Sequence, residues 1–164
     1  LDNTDSMKVS QYVENSISVI HPEAYRLTQP MSPHAAAERD DVNIEMGNII
    51  IPKTTRNLII EGAGGLMVPL NQHDLVIDLI SHLQADAVLV SRHYLGSINH
   101  SILSIKALRS RNIAIAGIIF NGDENRDTES IIESVCAVPI LGRIPKTDNL
   151  NQHTINHAIK YINI

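Results

Sequence analysis

The sequence contains little of what marks several classes of protein. Its 164 residues include one cysteine, Cys136, which excludes an internal disulfide framework and a cysteine-built metal site. We expect that thiol to be buried and inert. No run approaches the roughly 18 uninterrupted apolar residues of a membrane span, and no secretory signal opens the sequence. These absences predict a soluble, cytoplasmic protein with no membrane partner.

Aromatic side chains and concentrated positive charge are also scarce. The sequence has four Tyr, one Phe and no Trp, and its formal net charge is −5. Nucleic-acid binding depends on a basic surface along the phosphate backbone and often on aromatic stacking. Because Lys and Arg are scattered here, nucleic acid is not an expected partner.

Aliphatic side chains, by contrast, are abundant, and they fall into two patterns. Four runs lack polar alternation, as strands buried on both faces do, at residues 57–61, 87–91, 114–121 and 138–143. Apolar residues at helical spacing lie between them, at residues 75–83, 98–108 and 131–135. The alternation predicts one α/β domain over residues 1–164, with a mostly parallel sheet and helices on both faces.

Three further segments have weaker helical patterns. We expect a helix over residues 5–15 and another over residues 151–161. The segment 42–55 is ambiguous, and its pattern favours a helix that breaks before Pro52.

The run at residues 57–61 ends in an unusual stretch, "EGAGGLMVPL", which starts at Glu61. Ligands of open α/β sheets bind beyond the carboxyl ends of the strands, where Glu61 is predicted to lie. The glycines at 62, 64 and 65 let an anion approach the backbone N–H groups. A carboxylate beside a phosphate needs a cation between them, so Glu61 is a candidate Mg²⁺ ligand. The alternative is a glycine-rich turn whose acid is merely solvated.

Five motifs in order give the sequence a family resemblance. They are "SPHAAAE" from Ser32, "EGAGGLMVPL" from Glu61, "LGSINHSILS" from Leu95, "GIIFNGD" from Gly117 and "ILGRIP" from Ile140. Together they resemble dethiobiotin synthase, and the resemblance covers nearly the whole chain.

The resemblance implies a P-loop NTPase-like α/β fold and a homodimer. It also implies an enzyme that uses ATP, Mg²⁺ and CO₂ to close a ureido ring on 7,8-diaminopelargonate in biotin synthesis. In that family an amine captures CO₂ as a carbamate, ATP phosphorylates the carbamate, and the second amine then displaces phosphate. Such chemistry depends mostly on positioning and on neutralising charge.

One part of the family pattern is missing from these residues. Family members open with a strand, a G-x-x-x-x-G-K-[ST] phosphate loop, a helix and a second strand that carries a catalytic lysine. No G-K-[ST] occurs here, and the sequence starts at Leu1 rather than at Met. We therefore expect no catalytic residue among these 164 and no activity from them alone.

The resemblance assigns the remaining site residues one at a time. Metal ligation by Asp5 and Glu61 is implied, and so is a substrate contact by Ser32. The phosphate and nucleotide contacts implied are Glu61, Gly62, Ala63, Gly64, Asn121 and Pro145, with Asn121 on the adenine edge and Gly122 in place of an acid often found there. The substrate carboxylate is assigned to the start of a helix across the dimer interface, at Gly96, Ser97, Ile98 and Asn99. A plain helix cap by Ser97 or Asn99 is the alternative there.

Two other functions fit parts of the pattern. An amidase-type synthetase of the same ATPase class shares an "EGAGG"-like acidic loop, but "SPH" and "LGSINH" favour dethiobiotin synthase. The second alternative is a non-catalytic dimerising protein that lacks a P-loop. The coding sequence upstream of Leu1 distinguishes these possibilities.

Overall fold

The computed structural model of the protein describes residues 4–163. Its contacts divide the chain into two compact units, Leu1–Leu83 and Gln84–Ile164, and each unit is described here by itself. Among the described residues, no helix is long and apolar enough to cross a membrane.

The first unit is built from short helices and loops. Its helices are α1 (Asp5–Ser10), α2 (Pro33–Arg39) and α3 (Val76–His82), with a 3-10 helix at Met46–Asn48. A small apolar core formed by Ala37, Ile44, Leu70 and Val76 joins α2 and α3, and α1 contributes no residue to it. The described residues of this unit form no strand, and their only bridge joins Pro69 to Leu75.

Three predictions for the first unit are wrong in their extent or type. Residues 57–61 form no strand, because no neighbouring segment among residues 4–163 pairs with them, and Ile59 is 92% exposed. Segment 42–55 forms only the 3-10 helix, since Gly47 and the β-branched run after Asn48 disfavour an α-helix. Helix α1 ends at Ser10 rather than at residue 15, because it buries no side chain that would stabilise a longer helix.

The second unit contains a three-stranded parallel sheet. Strands β1 (Ala87–Arg92), β2 (Ile115–Asn121) and β3 (Ile140–Ile144) lie in the order β1-β2-β3. Helix α4 (Ser97–Ser110) connects the first pair, and α5 (Arg126–Cys136) connects the second. The predicted α/β class and the three strands of this half of the chain are confirmed.

Both crossover helices of this unit pack on one face of the sheet. Right-handed crossovers between strands that follow in chain order place their helices on the same side, and α4 and α5 contact each other. The core between helices and sheet comprises Ile105, Ile118, Phe120, Ile132, Cys136 and Val138. Cys136 is a free, buried thiol, as predicted. On the other face of β1, Val88 and Val90 are exposed.

The C-terminal segment follows β3. Helix α6 (Gln152–Ala158) and a 3-10 helix (Ile159–Tyr161) occupy the stretch predicted as one helix over 151–161. Asn151 caps α6 by accepting a hydrogen bond from the Thr154 N–H at 3.0 Å. The chain then returns to β3, where Gly142 and Ile162 form an antiparallel bridge.

Several helices end without glycine. Among residues 4–163, four non-glycine residues have positive φ and each follows a helix, namely Asp41, Gln84, Asn112 and Ala137. After α4, the Ile113 N–H donates to the Leu108 carbonyl at 3.0 Å, which closes the helix with a Schellman-type bond. At these four positions the backbone is therefore left-handed although the residue carries a side chain.

Candidate functional site

The glycine-rich loop of the first unit lies against the start of α3. A Cβ on Gly62 would stand 3.0 Å from Val76 Cγ1, and one on Gly64 would stand 3.0 Å from Val68 Cγ2. Gly64 also has φ +76°, which side chains rarely allow. Glycine is therefore favoured at position 64 by the backbone conformation, and a side chain at position 62 would require Val76 to shift.

The N–H groups at the start of this loop and the Glu61 carboxylate have no partner among the described residues. Among residues 4–163, the N–H groups of residues 62–65 donate no hydrogen bond to another protein group. The Glu61 carboxylate is exposed and has no partner among the same residues. Successive unpaired amides suit an anion such as phosphate, and a carboxylate oxygen is a ligand that Mg²⁺ prefers. The residues of the loop thus fit both groups.

Asp5, the other predicted metal ligand, is the first residue of α1, as expected. Its Oδ1 lies 3.1 Å from Lys8 Nζ, and its side chain is 73% exposed. Within the described chain no cluster of three or more His, Cys, Asp or Glu side chains could hold a metal. A Mg²⁺ ion that takes one or two carboxylates, with waters and substrate phosphates, needs no such cluster. Ligation by Asp5 and Glu61 therefore stays a prediction.

Ser32 precedes α2 as its N-cap residue. Its hydroxyl makes no capping hydrogen bond, and Pro33 occupies the first helical position. The His34 N–H donates to the Pro69 carbonyl at 3.3 Å, which ties the start of α2 to the segment that follows the glycine-rich loop. "SPH" and "EGAGGLMVPL", which lie far apart in the sequence, are thus joined within the first unit.

In the second unit, the remaining predicted residues gather at one edge of the sheet. Gly96 to Asn99 follow β1, Asn121 is the last residue of β2, and Pro145 comes directly after β3. Because the three strands are parallel, their carboxyl ends share one edge. That edge is where open α/β sheets bind ligands.

The start of α4 is exposed in the way that anion binding needs. Gly96 is the N-cap with φ 103°, and no side chain caps the helix, so the alternative of a cap by Ser97 or Asn99 is not observed. The Ser97 and His100 N–H groups bond to Tyr94 and Gly96 carbonyls. The amides of Ile98 and Asn99 have no such backbone partner among the described residues. The positive end of a 14-residue helix therefore presents two unused donors.

Asn121 stands at a corner of the chain. Its carbonyl accepts from the His93 N–H at 3.1 Å, and its side chain is exposed. The next residue, Gly122, has φ 133°, and its N–H donates to the Ile144 carbonyl at 2.9 Å. This corner, residues 121 and 122, is therefore fixed to both neighbouring strand ends while the Asn121 side chain remains accessible.

A charged cluster around one buried carboxylate, which the sequence did not reveal, lies behind this corner. Glu129 of α5 is only 8% exposed through its side chain. Arg143 of β3 donates to it twice, from Nε at 2.8 Å and from Nη2 at 2.5 Å. His93 Nε2 lies 3.0 Å from Glu129 Oε1, and the Asn125 N–H donates to the same oxygen at 3.3 Å. We call Glu129, Arg143 and His93 the Glu129 cluster.

The charge of Glu129 is stabilised by these donors. Burial by itself raises the pKa of Glu129, but the hydrogen bonds from Arg143, the Asn125 N–H and His93 outweigh it and hold the pKa below its usual value. A carboxylate only accepts hydrogen bonds, so His93 donates to Glu129 through Nε2. The other ring nitrogen, Nδ1, is buried without a partner among the described residues.

One sequence signal for this cluster existed. Arg143 interrupts the apolar run "ILGRIP", and a charged residue inside a buried strand requires a counter-charge. Nothing in the sequence identified Glu129 as that partner, because exposed glutamates are equally frequent along such a helix.

Comparison with known proteins gives a consistent set of relatives. A family model described as an AAA domain matches residues 1–154. An ATP-dependent dethiobiotin synthetase from Christiangramia forsetii is 54% identical over 144 residues, which cover 88% of this chain and 69% of the relative. Its counterpart from Rhodopseudomonas palustris is 46% identical over 96% of this chain and 75% of the relative. The one from Cytophaga hutchinsonii is 43% identical over 98% and 79%.

Proposed function

Because this chain belongs to the dethiobiotin synthetase family, a family of enzymes, we propose that it takes part in closing the ureido ring of dethiobiotin. The substrates proposed are 7,8-diaminopelargonate, CO₂ and ATP, with Mg²⁺ as the metal. The observation that best supports this is the carboxyl edge of the parallel sheet, where an uncapped helix start and an accessible asparagine lie on adjacent strand ends.

The substrate carboxylate is assigned to the start of α4. A carboxylate is stabilised there by the unused amides of Ile98 and Asn99 and by the helix dipole. Ser32 is assigned to the substrate through its uncommitted hydroxyl. Neither contact requires a charged side chain, which leaves the diamine end of the substrate free to react.

The adenine base is assigned to Asn121, with Pro145 beside it. A carboxamide offers one acceptor and two donors, which complement the donor and acceptor on the adenine edge. Asn121 is exposed at the end of β2, so its carboxamide is accessible to a base.

The phosphates and Mg²⁺ are assigned to the first unit. The unpaired amides of Gly62, Ala63 and Gly64 can face phosphate oxygens, and Asp5 and Glu61 supply hard oxygen ligands. Bound there, Mg²⁺ would offset the negative charge of the phosphate groups.

The reaction proceeds in three balanced steps. One substrate amine adds to CO₂ and loses a proton, which gives a carbamate. A carbamate oxygen attacks the γ-phosphorus of ATP, and ADP leaves. The second amine then attacks the carbamoyl carbon and loses a proton, so that the ring closes and inorganic phosphate departs. The residues described here contribute position and charge complementarity to this sequence of steps.

Assembly as a cytoplasmic homodimer completes the proposal. Leu95 is fully exposed beside the start of α4, and Tyr94 next to it is half exposed. An apolar side chain of this kind at the substrate loop suits a surface that a second copy covers. We also propose that the 164 residues alone give no turnover, since they contain no phosphate-loop lysine.

The test compares two proteins by mass spectrometry of the product. The protein expressed from its complete reading frame should convert 7,8-diaminopelargonate to dethiobiotin with ATP, Mg²⁺ and bicarbonate, and the 164-residue chain should not. Glu61→Gln should lower kcat/KM by about 10² or more, the loss expected when one preorganised charge-stabilising group is removed.

Glu14→Gln is the matched control, because Glu14 is an exposed carboxylate of the same unit that carries no proposed role. Equal rates for Glu61→Gln and Glu14→Gln would remove Glu61 from the metal site. Absence of product from the complete protein would overturn the proposed reaction.

A further inference from the structure

The Glu129 cluster joins the ends of all three strands through one carboxylate. Arg143 belongs to β3, His93 is the first residue after β1, and Asn125 belongs to the connection that follows β2. Glu129 accepts a hydrogen bond from each of them. Asn125 caps α5 through its own side chain, and by accepting from the Asn125 N–H the Glu129 carboxylate also helps to fix the start of that helix.

His93, which belongs to the Glu129 cluster, also holds the corner at residues 121 and 122. The His93 N–H donates to the Asn121 carbonyl at 3.1 Å, and the His93 ring stacks on Phe120 with a centroid distance of 5.4 Å and an interplanar angle of 15°. Gly122 passes close to that ring, since a Cβ on it would stand 3.4 Å from His93 Cδ2. The corner therefore rests on His93 on one side and on β3 on the other.

Stability alone does not account for burying the Glu129 carboxylate beside Arg143, whose side chain is 32% exposed. Well-packed apolar residues often stabilise a core as well as a buried ion pair does. A bidentate guanidinium on a carboxylate differs from apolar packing in fixing distance and orientation. Here the fixed geometry is that of the strand ends around Asn121.

We propose that Glu129 is a positioning residue for nucleotide recognition, which with Arg143 and His93 fixes the corner from which the Asn121 side chain meets the base. The role rests on the proposed function of Asn121. Glu129 does not contact the substrate in this role. It controls selectivity for the base rather than transfer of the phosphate.

The experiment uses the protein from its complete reading frame and two readouts. Calorimetric titration gives Kd for ATP and for GTP, and steady-state kinetics gives KM and kcat for ATP. Glu129→Gln keeps the size of the side chain but removes the charge that holds Arg143. We expect Kd and KM for ATP to rise between about tenfold and a hundredfold, as misplacement of a positioning group by about 1 Å can cause. We expect kcat to change far less and the preference for ATP over GTP to fall.

Glu133→Gln is the control. Glu133 is an exposed carboxylate of the same helix whose side chain has no contact with the cluster among the described residues, and this variant should leave Kd, KM and the ATP preference unchanged. If Glu129→Gln does not fold, Arg143→Lys replaces it, since lysine keeps the charge and loses the fork. That variant should show the same direction of change to a smaller extent.

Each outcome decides something. A folded Glu129→Gln protein with the parent's ATP affinity and preference overturns the proposal, and so does an equal weakening of ATP and GTP. Unfolding of both variants would assign the cluster to folding alone. A parent that binds ATP selectively but forms no dethiobiotin would overturn the proposed reaction and leave the positioning role to be judged on binding.

Discussion

Two aliphatic runs of this chain look alike and behave differently. Residues 57–61 and residues 87–91 both lack polar alternation. The second run forms β1 and pairs with β2 along its whole length, whereas the first stays irregular and leaves Ile59 92% exposed. The difference lies in the neighbours, since a strand is stabilised by cross-strand pairs and by burial rather than by its own sequence.

The same contrast extends to the two units. The second has a sheet, two long helices and a core that includes fully buried Phe120 and Ile118. The first has helices of at most seven residues and a core built partly from half-buried side chains. Side chains of the second unit therefore tolerate change less well.

The largest expected effect is the difference in stability between alanine substitutions at Phe120 and at Ile59. Phe120→Ala removes a fully buried ring and should lower the free energy of unfolding by about 3–5 kcal/mol. Ile59→Ala changes an exposed side chain and should stay within about 0.5 kcal/mol. Chemical denaturation followed by circular dichroism measures both. Similar losses would mean that residues 57–61 are buried in solution and that the contrast between the runs is wrong.

The next prediction compares alanine substitutions at two glycines, Gly142 and Gly47. A Cβ on Gly142 would lie 1.9 Å from the Tyr161 carbonyl oxygen and 2.9 Å from Ile162 Cα, at a φ of +154°. Gly142→Ala should therefore cost about 1–3 kcal/mol or more, as overpacking does. Gly47 of the first unit has nothing within 4 Å of such an atom, and Gly47→Ala should be near neutral. Thermal melting of the two variants tests this, and an unchanged Gly142→Ala protein would contradict the close approach of the C-terminal segment to β3.

The smallest expected effect is a loss of stability at acidic pH, at the contact between Ser6 and Glu23. The Ser6 N–H donates to Glu23 at 2.9 Å and is the main cause that lowers the pKa of Glu23 from 4.5 to about 2. A carboxyl whose folded pKa is lowered stabilises the fold above its unfolded pKa and loses that contribution as pH falls through the folded value. The anchor of α1 should thus weaken between pH 4.5 and about 2. Carbon-detected NMR titration of the Glu23 carboxyl should give a midpoint near 2, and Glu23→Gln should remove this pH dependence; a midpoint near 4.5 would rule the contact out.

The sequence predicted the second unit well because its signals are local. Strands β1, β2 and β3 lie within a few residues of the predicted runs, and α4 carries its buried residues Ile105 and Leu108 on the predicted stripe. The gathering of Asn121, Pro145 and the start of α4 at one edge follows directly from parallel strands.

What escaped prediction depends on partners far along the chain. The run at 57–61 had the right composition for a strand but no pairing segment among the described residues. Glu129 lies on the buried face of α5 with Ile132 and Cys136, but an acid at such a position does not identify its partner. That partner, Arg143, is 14 residues later and on another element. Predictions for the metal ligands Asp5 and Glu61 stay untested.

The helix ends offer an opportunity for protein engineering. Ala137 takes a left-handed conformation, with φ 47°, directly after α5, and an L-residue in that region bears roughly 1–2 kcal/mol of steric cost. Asn112, by contrast, has a side chain that tolerates the same geometry. Replacing Ala137 with glycine should therefore raise the stability of the protein. The substitution lies at the end of α5, away from the carboxyl edge of the sheet.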